Sequence, residues 1–312
     1  MKFTRNPSLA AALLGAAALL SQSCSHLRSG GAERIVLENG AVCAVVVPAF
    51  GGRVMSLQFA GGPNLLWTNP RPDNLMWHWR NHGGEKTWIG PQESWEALGG
   101  KTWPPPAFFD AAPYVVTRRS PTSVVLLSPA DTNWNLRVSR TVEVLPDRLR
   151  VTSELLPAGD VPATRLTNWS VVQLPPPPRV AVRLTGRKRL ANGMGEDKPL
   201  PAPARLANDT QLFDLRHAVA SGKCSFDADL FLVEVPGGQF EIRQFGEPPE
   251  DDDLAIPDRA QLYFGARTDL PPNYEPYIEV EFALPHPASR QQIEYRFIPT
   301  VRGDRAPRSR LP

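Results

Sequence analysis

An excess of charge of either sign is missing from this 312-residue chain: 34 basic residues face 32 acidic ones, for a net charge of +2. No run of Lys or Arg forms a basic patch, which argues against nucleic acid as a partner. Metal-holding residues are scarce, with 3 cysteines and 5 histidines, and no Cys/His spacing matches a zinc site. The one marked acidic run, Glu250-Asp251-Asp252-Asp253, lacks the ligand spacing and central glycine of a calcium hand and reads as a solvated loop. Neither a serine-triad motif nor a phosphate-cradling Gly-Lys loop is present. No metal and no cofactor is therefore expected. An internal repeat is also lacking, as is an amphipathic helix longer than a few turns. No apolar run after the first residues is long enough to cross a membrane.

Proline, by contrast, is plentiful at 34 residues and recurs between short apolar runs, a texture of strands and turns. Asn39-Gly40 is a strong hairpin signal. Ala41–Val47 is nearly continuously apolar, as a strand buried on both faces would be. Arg53–Phe59 alternates, and so does Arg148–Leu155, where Leu149, Val151 and Leu155 share one parity. Further strands are expected over Tyr114–Arg118, Ser123–Ser128, Leu136–Val144, Ala163–Gln173 and Val180–Leu184. After a polar, Pro-rich excursion at Arg187–Asn208 they resume over Asp229–Val235, Gln239–Phe245, Gln261–Ala266, Tyr277–Leu284 and Gln292–Pro299. Strands at this spacing imply an all-β sandwich or barrel, taken as one domain over residues 33–300.

The N-terminus reads as a targeting segment over residues 1–23. Lys2 and Arg5 form a basic start, and Leu9–Leu20 is an Ala/Leu stretch too short for a mature membrane span. Small residues then precede Cys24, a pattern similar to a bacterial lipoprotein signal in which that cysteine is lipidated; ordinary secretory cleavage near Ser23 is the alternative. Residues 24–32 form a polar tether, and the basic tail 301–312 is expected to be disordered. The chain is thus expected to be exported, either periplasmic or held at the outer membrane by a lipid. Cys43 and Cys224 remain as an even pair, bridged or free.

The stretch from Trp67 to Asp110 stands apart. Five of the 8 tryptophans fall between Trp77 and Trp103, together with His78 and His82. Neither strand nor helix periodicity runs through it, and Gly83-Gly84, Gly99-Gly100 and Pro104-Pro105-Pro106 punctuate it, so it is expected to be a long loop. Such loops are more often functional than connective. Tryptophan faces suit the apolar C–H face of a sugar ring.

In this order the motifs resemble the aldose 1-epimerase (galactose mutarotase)-like superfamily, and within it a group of mutarotase-like bacterial proteins. The opening hairpin with Gly51-Gly52-Arg53-Val54-Met55-Ser56-Leu57 is similar to the family's start. Asn81-His82-Gly83-Gly84 resembles its first site histidine, and Tyr277-Ile278-Glu279-Val280-Glu281 its last site strand, which carries the catalytic glutamate. The resemblance covers about residues 33–299. It implies a β-supersandwich of two large, mostly antiparallel sheets with one concave face, and a carbohydrate ligand. Asn168-Trp169 stands at the place of the family's Asn-His pair, whose histidine is the acid on the ring oxygen. Tryptophan has a donor N–H that does not titrate, so standard anomer interconversion is not expected.

The candidate catalytic residues are therefore Glu279 and His82. Glu281 shares the strand parity of Glu279 and is a candidate binding residue, with Arg53, Trp77, His78, Lys86, Trp88 and Trp169. The reading is an exported carbohydrate-binding protein. Its rivals are a carbohydrate enzyme, an epimerase or a hydrolase or lyase, using Glu279 and His82, and a structural envelope protein. Mass spectrometry of membrane-extracted protein checks the first segment: a mature chain beginning at lipidated Cys24 is expected, and a water-soluble product starting elsewhere would remove the lipid anchor while leaving export intact.

Overall fold

The computed structural model describes residues 31–300, apart from 72, 74, 98, 161–165, 177–178, 186–190, 193–199, 207, 246–259, 273 and 286–289. Cys24 and the targeting segment, most of the tether, the acidic run at 250–253 and the tail 301–312 lie outside the described residues.

In chain order the strands begin with β1 (Ile35–Asn39), β2 (Val42–Val47), β3 (Arg53–Phe59), β4 (Glu85–Gly90), β5 (Val115–Arg119), β6 (Ser123–Leu127), β7 (Leu136–Val144) and β8 (Arg148–Pro157). The middle of the chain gives β9 (Thr167–Leu174), β10 (Arg179–Leu184), β11 (Ala191–Asn192), β12 (Ala204–Arg205), β13 (Thr210–Asp214) and β14 (Gly222–Phe226). The last are β15 (Ala228–Val235), β16 (Gly238–Phe245), β17 (Ala260–Gly265), β18 (Tyr277–Pro285) and β19 (Arg290–Pro299). Two single-turn helices, α1 (Ser94–Ala97) and α2 (Ala107–Asp110), lie between β4 and β5.

Among the described residues these strands form two antiparallel sheets. A nine-stranded sheet runs β1-β2-β3-β4-β9-β18-β17-β14-β11, and a ten-stranded sheet runs β12-β13-β10-β15-β16-β19-β8-β7-β6-β5. The expected all-β supersandwich is the observed one. The nine-stranded sheet interleaves strands from the start, middle and end of the chain, the ten-stranded sheet takes its strands from Val115 onward, and one hydrophobic cluster runs from Ile35 to Tyr295.

Alternation explains most of the placement. Along β7 every second residue from Leu136 to Val144 is buried, and the β7–β8 register pairs Val142 with Val151 on the same inner face. The Asn39-Gly40 turn joins β1 to β2 with Asn39 opposite Val42 and Gly40 at φ +59°. Polar groups also cross between the sheets: Thr87 and Ser153 share a hydroxyl bond of 2.6 Å, and Arg140 on β7 forms a buried ion pair with Glu85 on β4. Arg140 donates a further bond of 2.8 Å to the carbonyl of Gly52.

The Trp67–Asp110 stretch corrects the sequence reading. It is not loop throughout, because Glu85–Gly90 is an inner strand between β3 and β9, buried at all six positions. Burial on both faces removes the alternation that would have marked it. Four further strands, β11 to β14, fall where none was expected, the first two of them inside the Arg187–Asn208 stretch read as a polar excursion. Cys224 is buried and free, so no bridge joins it to Cys43.

Candidate functional site

The register of the nine-stranded sheet assembles one polar row. Trp88 lies opposite Trp169 and Lys86 opposite Val171; Val171 lies opposite Glu281 and Gln173 opposite Glu279; Glu279 lies opposite Tyr263 and Glu281 opposite Gln261; Tyr263 lies opposite Lys223. Directly paired antiparallel residues share a face. Lys86, Trp88, Trp169, Gln173, Glu279 and Glu281 therefore project from the same side, away from the second sheet.

Glu279 is 8% exposed, and its Oε1 accepts a 2.6 Å bond from Gln173 Nε2. The ammonium of Lys86 lies 3.8 Å from the same oxygen. Lys86 is fully buried, and among the described residues its Nζ donates no hydrogen bond to a protein acceptor. It sits 4.8 Å from the ring centre of Trp88 and 5.1 Å from that of Trp79, as a cation over aromatic faces. Burial, and then the Arg53 charge, lower the Lys86 pKa to about 8, against the pull of Glu279. Burial raises that of Glu279, with Lys86 opposing. Each shift weakens the charged form, which brings the pair nearer to proton exchange. Glu281 is held differently: its Oε2 accepts 2.9 Å from Trp169 Nε1, and the Lys223 ammonium lies 3.0 Å from its Oε1.

A roof of aromatic residues closes over this row. Asp110, at the end of α2, is 1% exposed and accepts from Arg53 Nη2 at 2.5 Å, Trp79 Nε1 at 2.7 Å and Trp88 Nε1 at 2.7 Å. Trp88 meets Trp79, Trp95, Trp103 and Trp169 edge-on, with ring centres 5.3–6.2 Å apart. Close approach makes this possible: at Gly51, φ +68°, an added Cβ would stand 2.0 Å from the Asp110 carbonyl oxygen. Glu279 is nearly buried while Tyr263 and Lys223 beside it are half-buried, so the face opens toward β17 and β14.

Other expected site residues lie apart from the row. Arg53 is fully buried, with its Nη groups committed to Asp110 and to the Gly83 carbonyl at 3.0 Å. His82 stacks flat on Phe50, centroids 4.2 Å apart, and borders Arg53; among the described contacts none joins it to Glu279. Gly83, at φ +83° and hard against the Trp67 carbonyl, turns the chain after it. Trp77 and His78 are exposed at the tip of a turn. Gln173, Lys223, Tyr263 and Trp79 join the site although none was singled out from sequence. Gln173 shares the parity of Trp169 in β9 and could have been found that way, whereas Lys223 sits on the unrecognised β14. Among the described residues there is no cluster of three or more His, Cys, Asp or Glu able to hold a metal. A cleft of about 530 Å³ beside Pro63, Leu174, Pro175 and Pro236 contains none of these groups and is a different place.

No family model and no curated relative matches the sequence. Solved structures do match in fold. A galactose mutarotase-like protein of Lactobacillus casei ATCC 334 is 13% identical, with a TM-score of 0.58 over 85% of this chain and 100% of its own. A candidate aldose 1-epimerase of Escherichia coli K12 is 12% identical, with a TM-score of 0.56 over 86% of this chain and 100% of its own. A galactose mutarotase-like protein of Clostridium acetobutylicum is 13% identical, with a TM-score of 0.51 over 86% and 95%. At such identity the likeness establishes the fold, and the chain has the galactose mutarotase-like fold.

The electrostatics of His82 give a stability prediction. Burial first, then the Arg53 charge, lower its pKa from 6.5 to about 4. The unfolded chain takes up this proton near 6.5 and the folded chain only near 4. The stability present above pH 6.5 is therefore lost as the pH falls toward 4, by about 3 kcal/mol at most. His82→Phe keeps the stack on Phe50 and removes the titration. Urea midpoints at pH 7 and pH 4 should fall less for the variant than for the wild type; parallel falls would show that His82 titrates normally.

Proposed function

We propose that the chain is an exported carbohydrate-binding protein whose sugar lies on the concave face of the nine-stranded sheet, with Glu279 accepting from its hydroxyls. The observation that carries this reading is the buried row itself. Among the described residues, Lys86 Nζ and Gln173 Oε1 make no hydrogen bond to other protein groups, although both are sealed from the surface. Buried polar groups are nearly always paired, and those left unspent in a native site call for a reason. Here they flank a carboxylate, between Trp88 and Tyr263. A ring carrying vicinal hydroxyls supplies both the donors and the acceptors that such a row needs. That proteins of the same fold are described as mutarotase-like or as a candidate aldose 1-epimerase supports a sugar over other polyols.

The reading excludes standard anomer interconversion. Trp169, at the place where the resemblance sets an acid histidine, spends its one N–H on Glu281 and has no proton to exchange. A second reading, a carbohydrate enzyme, is favoured by one observation: Lys86, with its pKa lowered to about 8, lies 3.8 Å from Glu279 and could serve as the acid in place of His82.

Two measurements separate these readings. Calorimetric titration with simple hexoses should show binding that weakens by about 1.5–3 kcal/mol in Glu279→Gln, where the amide keeps the shape and loses the charged acceptor. Equal affinities would put Glu279 outside the site. Polarimetry on freshly dissolved α-glucose and α-galactose should show no rate enhancement by the wild type. Robust enhancement that Lys86→Met abolishes would establish the second reading instead.

A further inference from the structure

We propose that the exposed turn carrying Trp77 and His78 is an outer subsite that stacks the second ring of an oligosaccharide whose first ring lies against Glu279. This rests on the sugar-binding reading above.

The chain reverses between Met76 and Trp79, each donating its backbone N–H to the other's carbonyl at 2.8 Å. The two central residues are Trp77 at φ +48° and His78 at φ +67°. Two-residue turns of this hand favour Asn-Gly, because side chains clash in the left-handed region. A bulky ring there is a true outlier, and such positions persist where the surroundings or a function maintain them. Full burial does not compensate for the strain. Trp77 is 53% exposed, whereas its flanking residues Met76 and Trp79 are 1% and 4% exposed. Among the described residues neither the indole of Trp77 nor the imidazole of His78 packs on another aromatic ring. An interaction beyond the chain accounts for a strained, half-exposed tryptophan.

The roots of the turn fix where that interaction lies. Met76 Sδ accepts from the Tyr277 hydroxyl at 3.8 Å, and Tyr277 shares the strand face of Glu279. Trp79 donates to Asp110 and lies over the Lys86 ammonium. Both anchors thus stand on the proposed sugar site, and the tip stands at its rim. An indole face offers the apolar surface that a pyranose C–H face stacks on, and an imidazole can give or accept one hydroxyl hydrogen bond. The exposed ion pair of Arg80 and Asp73, 3.8 Å apart, makes this rim polar with its charges offset. A lipid surface would call for an unbalanced basic face beside the apolar tip, so a glycan fits better.

Titration of wild type and Trp77→Asn with methyl glycosides and with malto- and cello-oligosaccharides of two to four units tests this. The wild type should bind the fitting oligosaccharide about tenfold tighter or better than the single ring. Trp77→Asn should fall to the single-ring level, and its melting temperature should hold or rise, since Asn accepts the left-handed turn. A purely structural tryptophan would lower the melting temperature instead. Trp77→Phe should retain part of the length dependence. Affinity independent of chain length, or an equal factor lost for one ring and for several, would overturn the subsite while leaving sugar binding standing. Binding of no sugar at all would overturn both. Capture of the wild type, and not of Trp77→Asn, by anionic phospholipid vesicles without any length dependence would assign the turn to a membrane and overturn the proposal.

Discussion

The carboxylate of Asp110 is the constraint on which the site depends. It is buried, and buried charge is tolerated only where it is paired and fully hydrogen-bonded. Three donors meet it: the guanidinium of Arg53 from β3, the indole of Trp88 from β4 and the indole of Trp79 from the turn that precedes β4. Because the three come from different parts of the chain, satisfying one carboxylate fixes the whole aromatic roof over the sheet. The fit is mutual. Arg53 would be an unpaired buried cation without Asp110, and the backbone of α2 comes so close to Gly51 that a side chain there would collide with it. Losing either partner of such a pair typically costs about 3–5 kcal/mol. Arg53 is better understood as the root of this clamp than as a ligand contact.

Legibility of the fold followed burial geometry. Strands with one wet face, such as β7 and β8, announced themselves by alternation, and the Asn39-Gly40 hairpin by its turn residues. Glu85–Gly90 failed in the opposite way. Its first three positions carry Glu85, Lys86 and Thr87, which look like surface residues, yet every one is buried against a specific partner. Glu85 meets Arg140, Thr87 meets Ser153, and Lys86 lies by Glu279. A strand whose polar side chains are buried against residues tens of positions away has no hydropathy signature. β11 to β14 were missed for a simpler reason: they are short and lie within or after the proline-rich stretch, which masked their onset.

The site was legible where parity carried it. Glu279 and Glu281 were placed on one face by a period of two, and the observed register keeps them there. Lys86 and Trp88 share a face by the same rule, but it could be applied only once β4 was known to be a strand. His82 was marked by its glycines, whose left-handed conformations the structure does use; the motif fixed a backbone path and left the orientation of the imidazole undetermined. That orientation, flat on Phe50 and next to Arg53, follows from packing that no local spacing encodes.

The tryptophans divide into two kinds, and the division bears on how the face works. Trp79, Trp88, Trp95 and Trp169 each spend the indole N–H on a protein acceptor, and their rings meet edge to face. They are structural walls, and the electron-rich faces of Trp79 and Trp88 hold the Lys86 cation in a dry environment. That environment weakens both charged forms of the Lys86–Glu279 pair, so neither group is tied up by a strong bond to the other. The separation of 3.8 Å is longer than a direct hydrogen bond. On the proposed sugar-binding reading, a ring hydroxyl that reaches Glu279 from the open side of the face therefore gains a charge-assisted bond without breaking a stronger one. Arg140–Glu85 on the opposite face of the same strand shows the contrast: there the pair is in direct contact, Arg140 also donates to Gly52, and the group serves only to join the sheets.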